Sequence, residues 1–575
     1  MTAWRAVAEA LKAEAVQHIF GLPGNPLHLV DDVDRHTDIK IVLVRQEHSG
    51  VACAYAYARL TGRPAVCFGN PGPGITNMVT GLLEATSGCL PVICIVNGVG
   101  MATDGKGAFQ ELDSVALMRP VTKWAVRPTT PESIPWVMQR AFSLACNGKP
   151  GAVFIDIPSD IGLVEVEMPA YRPALGRLRS RASAADLKEA ARLLVAAKRP
   201  LMVCGSGAVS AGAARPVAAL AEALAMPVFT TPGGRGIIAE DAELSLGQVG
   251  LYFSDVGKAY WDRADLILSV GSRLEDFSTG AWHYIPPRAR YIQLDVDANA
   301  IAMNWRPDVA LVGDAALTLA ELAAGLRGID KPAGRRRLEA VGKAKARHQR
   351  QVSAEGAVRS GPLRTPQILH AVNQIFGHDT IMVHENGGAD LWSYYWPHYK
   401  VLDVGDDVPM AEQTAMGMGV IGAIAAKLAR PGKKVVCVAG DSALQMAMME
   451  LATEAEQGCG VTWIVLNNQA LGWPQYLQVL EGRPRVATDF AVSPDFAKLA
   501  EAQGCRGLTI ATAEEIEAAL TEALRANRRG VPVLIDCRIP KHDYPPHFTR
   551  YHQEVWGLGV KPGRGRKKRP SGGGG

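Results

Sequence analysis

Apolar positions along the chain follow two alternating patterns. Continuous runs of four to six, rich in Val and Ile, occupy 39–44, 65–68, 92–96 and 152–157, with helically spaced apolar residues between them. Runs of this kind, apolar on both faces and separated by helices, predict a parallel sheet covered on both sides. The pattern repeats at 201–204, 227–230, 266–270 and 291–294, and again at 380–383, 434–438, 461–466 and 533–535. The fold class is therefore α/β, with three consecutive domains of central parallel sheets flanked by helices. The boundaries fall at 1–168, 185–330 and 362–545, with a tail at 546–575. A Pro/Arg/Ser-rich stretch at 169–184 and a charged stretch at 331–361 read as linkers, and the tail reads as irregular. The first residues spell an amphipathic helix, with Trp4, Val7, Leu11 and Val16 on one face.

Composition adds three points. A length of 575 residues suits about three domains. The formal charge of +4 is local, because Lys561, Arg564, Arg566, Lys567, Lys568 and Arg569 lie at the end of the chain. Without these six, 55 basic residues face 57 acidic ones, so the body has no electrostatic basis for binding nucleic acid. The ten cysteines form no C-x-x-C pair and lie mostly in apolar runs, as buried thiols of a cytoplasmic protein do. No apolar run is long enough to span a membrane.

Chemistry concentrates in the third domain. The strand at 434–438 runs into Gly440-Asp441-Ser442-Ala443, and Asn467-Asn468 follows the strand at 461–466. A carboxylate and an amide oxygen at the ends of two parallel strands suit a hard cation such as Mg²⁺ that also takes phosphate oxygens. The glycine permits close approach, and the next helix offers its N-terminal N–H groups to a diphosphate. In the first domain, Glu47 follows a strand, Asn70-Pro71-Gly72-Pro73-Gly74-Ile75-Thr76-Asn77 forms a Gly/Pro loop, and Gly107-Ala108-Phe109-Gln110-Glu111 follows later. Further on come Glu385-Asn386-Gly387-Gly388 and Glu412-Gln413-Thr414-Ala415-Met416-Gly417.

These motifs together resemble the acetohydroxyacid synthase-like superfamily of thiamine diphosphate enzymes over nearly the whole chain. The resemblance implies a pyrimidine domain, a central domain and a diphosphate domain. It makes Asp441 and Asn468 side-chain ligands of Mg²⁺ and Ala470 a carbonyl ligand. Gly440, Ser442, Ala443, Leu471, Gly472, Asn386, Gly387 and Gly388 would then hold the diphosphate. It puts Pro73, Asn77, Thr414 and Met416 around the pyrimidine, with Met416 as a polarizable wedge under the thiazolium. Glu47 would bond the pyrimidine ring and drive its proton traffic, and Phe109 and Gln110 would flank the reacting carbon. It also implies a homodimer or homotetramer with active sites shared between chains.

The substrate is read from departures. No His-His pair of the pyruvate decarboxylase type occurs, and Leu477 stands where acetolactate synthases carry a tryptophan. The segments at 107–111, 122–128 and 148–151 resemble 2-hydroxyacyl-CoA lyases, and the tail combines Tyr551, Val555 and Trp556 with basic residues, as a lid over a coenzyme A thioester would. The expected reaction is reversible cleavage of a 2-hydroxyacyl-CoA to formyl-CoA and an aldehyde or ketone. The alternatives are acetolactate synthase-like decarboxylation and carboligation of a 2-ketoacid, and an inactive binding protein. In the central domain Gly205, Gly207, Arg273 and Asp295 lie after strands, as a site for ADP, FAD or coenzyme A would.

Overall fold

The computed structural model describes residues 1–329 and 331–559. Three six-stranded sheets, parallel throughout, follow one another along the chain. The first holds β1 (His18–Gly21), β2 (Lys40–Leu43), β3 (Ala65–Gly69), β4 (Val92–Gly98), β5 (Trp124–Val126) and β6 (Val153–Pro158) in the order β2-β1-β3-β4-β6-β5. The second holds β7 (Pro200–Cys204), β8 (Val228–Thr230), β9 (Ser245–Gln248), β10 (Leu266–Val270), β11 (Arg290–Asp295) and β12 (Val309–Val312) in the order β12-β11-β10-β7-β8-β9. The third holds β13 (Thr380–His384), β14 (Asp407–Val408), β15 (Lys434–Gly440), β16 (Val461–Asn467), β17 (Arg506–Ile510) and β18 (Val533–Arg538) in the order β14-β13-β15-β16-β18-β17.

The inner strands β3, β4, β10 and β16 are buried along their whole length, as the continuous apolar runs require. Strands absent from the sequence reading are short ones, mostly at sheet edges, among them β5, β9, β12 and β14. In each sheet the strand order reverses beside the strand that comes first in the chain, and a crevice opens there beyond the carboxyl ends. These switch points lie between β1 and β3, between β7 and β10, and between β13 and β15.

The first and third domains pack directly on one another. Helix Glu47–Thr61 lies against helix Met418–Ala429, and one apolar core runs through both domains. Gly422 makes this approach close, since a Cβ there would stand 3.1 Å from that of Ala56.

Two expectations fail. The stretch at 331–361 is not a linker, because Pro332–Gly356 is a 25-residue helix. Leu338, Lys345 and Val352 are buried on it, seven residues apart, so a single narrow stripe faces the protein and the rest carries charge. The tail is not irregular at its start either. Pro546–Trp556 is a helix whose His547, Phe548, Tyr551 and His552 are buried at helical spacing, against the second domain. The basic residues at 561–569 lie outside the described residues. Among the described residues no helix is long and apolar enough to cross a membrane.

Candidate active site

The switch point of the third sheet opens into a cavity of about 1100 Å³. Every third-domain residue assigned above to the cofactor or the metal lines it. From the end of β13 come Asn386, Gly387 and Gly388, and from the end of β15 come Gly440, Asp441, Ser442 and Ala443. The segment after β16 adds Asn468, Ala470, Leu471 and Gly472, and the turn before helix Met418–Ala429 adds Thr414 and Met416. Aromatic walls that the sequence did not single out, including Tyr252, Phe277, Trp473 and Tyr544, close the cavity toward the second domain and the C-terminal helix.

The two asparagines divide their work because consecutive residues at a strand end point opposite ways. Asn467 is buried and donates to Asp536 Oδ1 on β18 at 2.8 Å, anchoring the strand end. Asn468 faces the cavity. Asp441 opens helix Asp441–Ala447, and the Ser442 hydroxyl donates to the Ala470 carbonyl at 3.0 Å, tying the two strand ends together. Burial pushes the Asp441 carboxyl up to about 6, even though backbone N–H groups of Ser442, Gln469 and Ala470 favour its ionised form. One carboxylate, one amide oxygen and one carbonyl give a hard, all-oxygen donor set with room for phosphate and water. That fits Mg²⁺, which prefers few protein ligands. Among the described residues no cluster of three His, Cys, Asp or Glu offers a competing metal site.

The turn carrying Met416 is held from below by Glu385. This fully buried carboxylate accepts N–H bonds from Asn386, Gly417, Gly419 and Val420 at 2.8–3.1 Å. It thereby joins the Asn386–Gly388 loop to the N-terminus of helix Met418–Ala429. Burial pushes its carboxyl up to about 7 against these donors. Gly419 admits no side chain, since a Cβ would stand 2.2 Å from the His384 carbonyl oxygen.

The first-domain candidates form a second cluster. Glu47 is buried at the head of helix Glu47–Thr61, where Asn77 donates to one carboxylate oxygen and Asn70 to the other, each at 3.0 Å. Asn70 is thus a direct partner of Glu47. It also accepts from the Asn25 N–H at 2.9 Å across the β1/β3 switch point. The loop bearing Gln110 lies against this cluster: a Cβ on Gly72 would stand 2.9 Å from the Gln110 carbonyl oxygen. Pro73 opens helix Pro73–Ser87 beside them. Phe109 is 81% exposed. Within one chain, Glu47, Pro73, Asn77, Phe109 and Gln110 do not line the cavity of Asp441 and Asn468.

A second cavity of about 1170 Å³ opens at the switch point of the central sheet, and Gly205, Gly207, Arg273 and Asp295 all line it. Their roles are partly internal. Gly205 and Gly207 pack on Gly271, where a Cβ would come within 2.4 and 2.8 Å of its backbone. Arg273 pairs with Glu275 at 3.1 Å, and Asp295 Oδ1 accepts the Asp297 N–H at 2.9 Å. The two cavities share Tyr252, Phe277, Asp390 and Thr414 as a common wall.

The geometry agrees with comparison to known proteins. Three family models match in chain order: thiamine pyrophosphate enzyme, N-terminal TPP binding domain at 1–117, central domain at 187–322, and C-terminal TPP binding domain at 394–537. The chain belongs to the thiamine pyrophosphate enzymes, and it is an enzyme that uses thiamine diphosphate. Within them it falls in the acetolactate synthase-like family. It is 31% identical over 545 residues to a probable acetolactate synthase large subunit of Methanocaldococcus jannaschii, covering 92% of this chain and 90% of that one. It is 32% identical over 555 residues to an acetolactate synthase of Mycobacterium bovis, covering 93% and 88%. To the large subunit of Haemophilus influenzae it is 31% identical over 546 residues, covering 94% and 95%. These relatives do not support the 2-hydroxyacyl-CoA lyase branch expected from the sequence.

Proposed function

We propose that this enzyme decarboxylates a 2-ketoacid and joins the acyl unit to an acceptor carbonyl. The observation that carries the reading is the end-to-end similarity to acetolactate synthases, and the cavity with its oxygen donor set agrees with it. Thiamine diphosphate, when bound, supplies the carbon that stores the electron pair released by C–C cleavage. Asp441, Asn468 and the Ala470 carbonyl would hold Mg²⁺ against the diphosphate, and the Asn386–Gly388 loop and the N-terminus of helix Asp441–Ala447 would add N–H donors. Thr414 and Met416 would orient the pyrimidine and bend the cofactor. Glu47 would hold the proton at the pyrimidine ring, kept in place by Asn70 and Asn77.

Glu47 and the cavity lie apart within one chain, and this supports an active site completed by a second copy, with Glu47, Phe109 and Gln110 of one chain facing the cavity of another. The acceptor is the open choice in this reading. Leu477 is half-buried on helix Gly472–Leu480 but does not line the cavity, whereas Trp473 and Pro474 of that helix do. For the central cavity, ADP or FAD remains the proposed class of ligand. The thioester reading rested on the segments at 107–111, 122–128 and 148–151, on Leu477 and on the tail, whereas the relatives above are named acetolactate synthases.

The test incubates purified protein with thiamine diphosphate and Mg²⁺, and with pyruvate, 2-oxobutyrate or a 2-hydroxyacyl-CoA in parallel. Release of CO₂ with a new C–C product from a 2-ketoacid is the expected result. Thioester cleavage without any decarboxylation would overturn the proposal.

A further inference from the structure

Helix Pro73–Ser87 carries two buried polar contacts on one face. Asn77 bonds Glu47, as described, and Glu84 lies seven residues later, two helical turns and about 10 Å along the axis. Glu84 is fully buried and, among the described residues, meets no basic side chain. Instead one carboxylate oxygen accepts the Ala411 N–H at 2.7 Å and the other the Ala415 N–H at 3.3 Å. Both donors belong to the turn that bears Thr414 and Met416, in the third domain. Burying a lone carboxylate is costly, and here the compensation is spent on two backbone groups of a single turn. Between them Thr414 sits at φ +48°, a left-handed conformation that a threonine keeps only when its surroundings over-determine it. Tyr55 on helix Glu47–Thr61 adds a tether at the start of the turn, donating to the Pro409 carbonyl at 2.8 Å.

We propose that Glu84 is a positioning residue for the cofactor: it sets the Thr414–Met416 turn in register with the helix that holds Glu47. The proposal rests on the roles given above to Thr414 and Met416. Glu385 grips the same turn, but from within its own domain, so it fixes the turn to the diphosphate loop and carries no information about Glu47. Glu84 crosses from one domain to the other. If the active site is shared between chains, Glu47 and Met416 of one chain serve different sites, and helix Pro73–Ser87 is a rigid strut between them.

The test compares Glu84→Gln and Glu84→Ala with wild type. Glu84→Gln keeps the shape and one acceptor, so it folds and answers the case in which the alanine variant does not. In the chain without cofactor, amide hydrogen exchange at 411–418 is expected to rise about tenfold in Glu84→Ala, the scale of one lost buried hydrogen bond. Exchange at 440–470 should stay unchanged. In the holoenzyme, cofactor affinity read by tryptophan quenching should change less than about threefold, because the diphosphate loops are untouched, while exchange of the bound cofactor's C2 proton slows by about tenfold or more. Glu84→Gln should recover part of that rate. Wild-type exchange at 411–418 in both variants would overturn the proposal, and so would a loss of affinity as large as the loss of C2 exchange. Neither readout needs a substrate, so failure of wild type to turn over any 2-ketoacid would sink the proposed reaction and leave this inference standing.

Discussion

The sharpest stability prediction concerns Arg235, a guanidinium with no exposed surface. It pairs with Glu240 through two parallel bonds of 2.8 and 2.9 Å and donates to the carbonyls of Ser393 at 2.8 Å and Tyr399 at 3.0 Å. Asp407 lies 3.8 Å away and itself bonds His384 at 2.8 Å, with Arg59 3.9 Å off on its other side. Burial alone would raise the Asp407 carboxyl. His384, Arg235 and Arg59 outweigh it and hold the group below the usual range. Arg235→Met would keep most of the volume while stranding Glu240 and leaving Asp407 with one cation fewer. A buried pair broken from one side costs about 3–5 kcal/mol, and the upper half of that range applies because four donated bonds vanish together. Removing both partners in Arg235→Met/Glu240→Leu should restore at least half of the loss, since no stranded carboxylate remains at 240. Urea unfolding followed by tryptophan fluorescence suits the measurement, because the Trp396 indole donates to the Glu240 carbonyl at 3.1 Å and reports on this junction of the second and third domains. An Arg235→Met variant within about 1 kcal/mol of wild type, or a double variant less stable than the single, would refute the reasoning.

Three further predictions address the site and its surroundings. Glu47→Gln should lower turnover by about a hundredfold or more while Mg²⁺-dependent cofactor binding persists, and wild-type turnover would remove Glu47 from the proton role. Asp441→Ala should weaken cofactor binding by about tenfold or more and blunt its dependence on added Mg²⁺ in a titration; unchanged affinity would move the metal elsewhere. Lys345 is buried and its ammonium is pushed down to about 8, against about 10.4 in the unfolded chain. Between those values the unfolded state holds a proton the folded state has released, so stability should rise with pH across that window, by at most about 3 kcal/mol. Lys345→Met should flatten the rise between about pH 8 and about pH 10 in urea midpoints, and a rise that survives the substitution would assign it to other groups.

The diphosphate half of the site was legible in the sequence for a physical reason. Its residues follow buried strands within a few positions, so the apolar run, the glycine and the ligand read as one phrase, as at Val438 to Asp441. The residues that hold these in place were not legible. Glu84 looks like any glutamate on a helix, and its burial depends on a turn more than three hundred residues away. Tyr252 and Phe277 reach the cavity from another domain. Helix Pro332–Gly356 was hidden by its own charge, since one buried residue per two turns, the middle one a lysine, is too thin a stripe to stand out. The C-terminal helix was hidden by the prolines that open it.

The first and third sheets hold their strands in the same spatial order. Helix Glu47–Thr61 follows the second strand of one sheet, helix Met418–Ala429 follows the second strand of the other, and the two helices face each other. Glu47 heads the first helix, and Met416 and Gly417 lead into the second. The chain thus presents one architecture twice, and in the proposed reading the copies divide the work at matching places, one handling the proton and one moulding the ring. Such a division of labour ties the two copies together, because any shift in how these helices cross moves both tools at once.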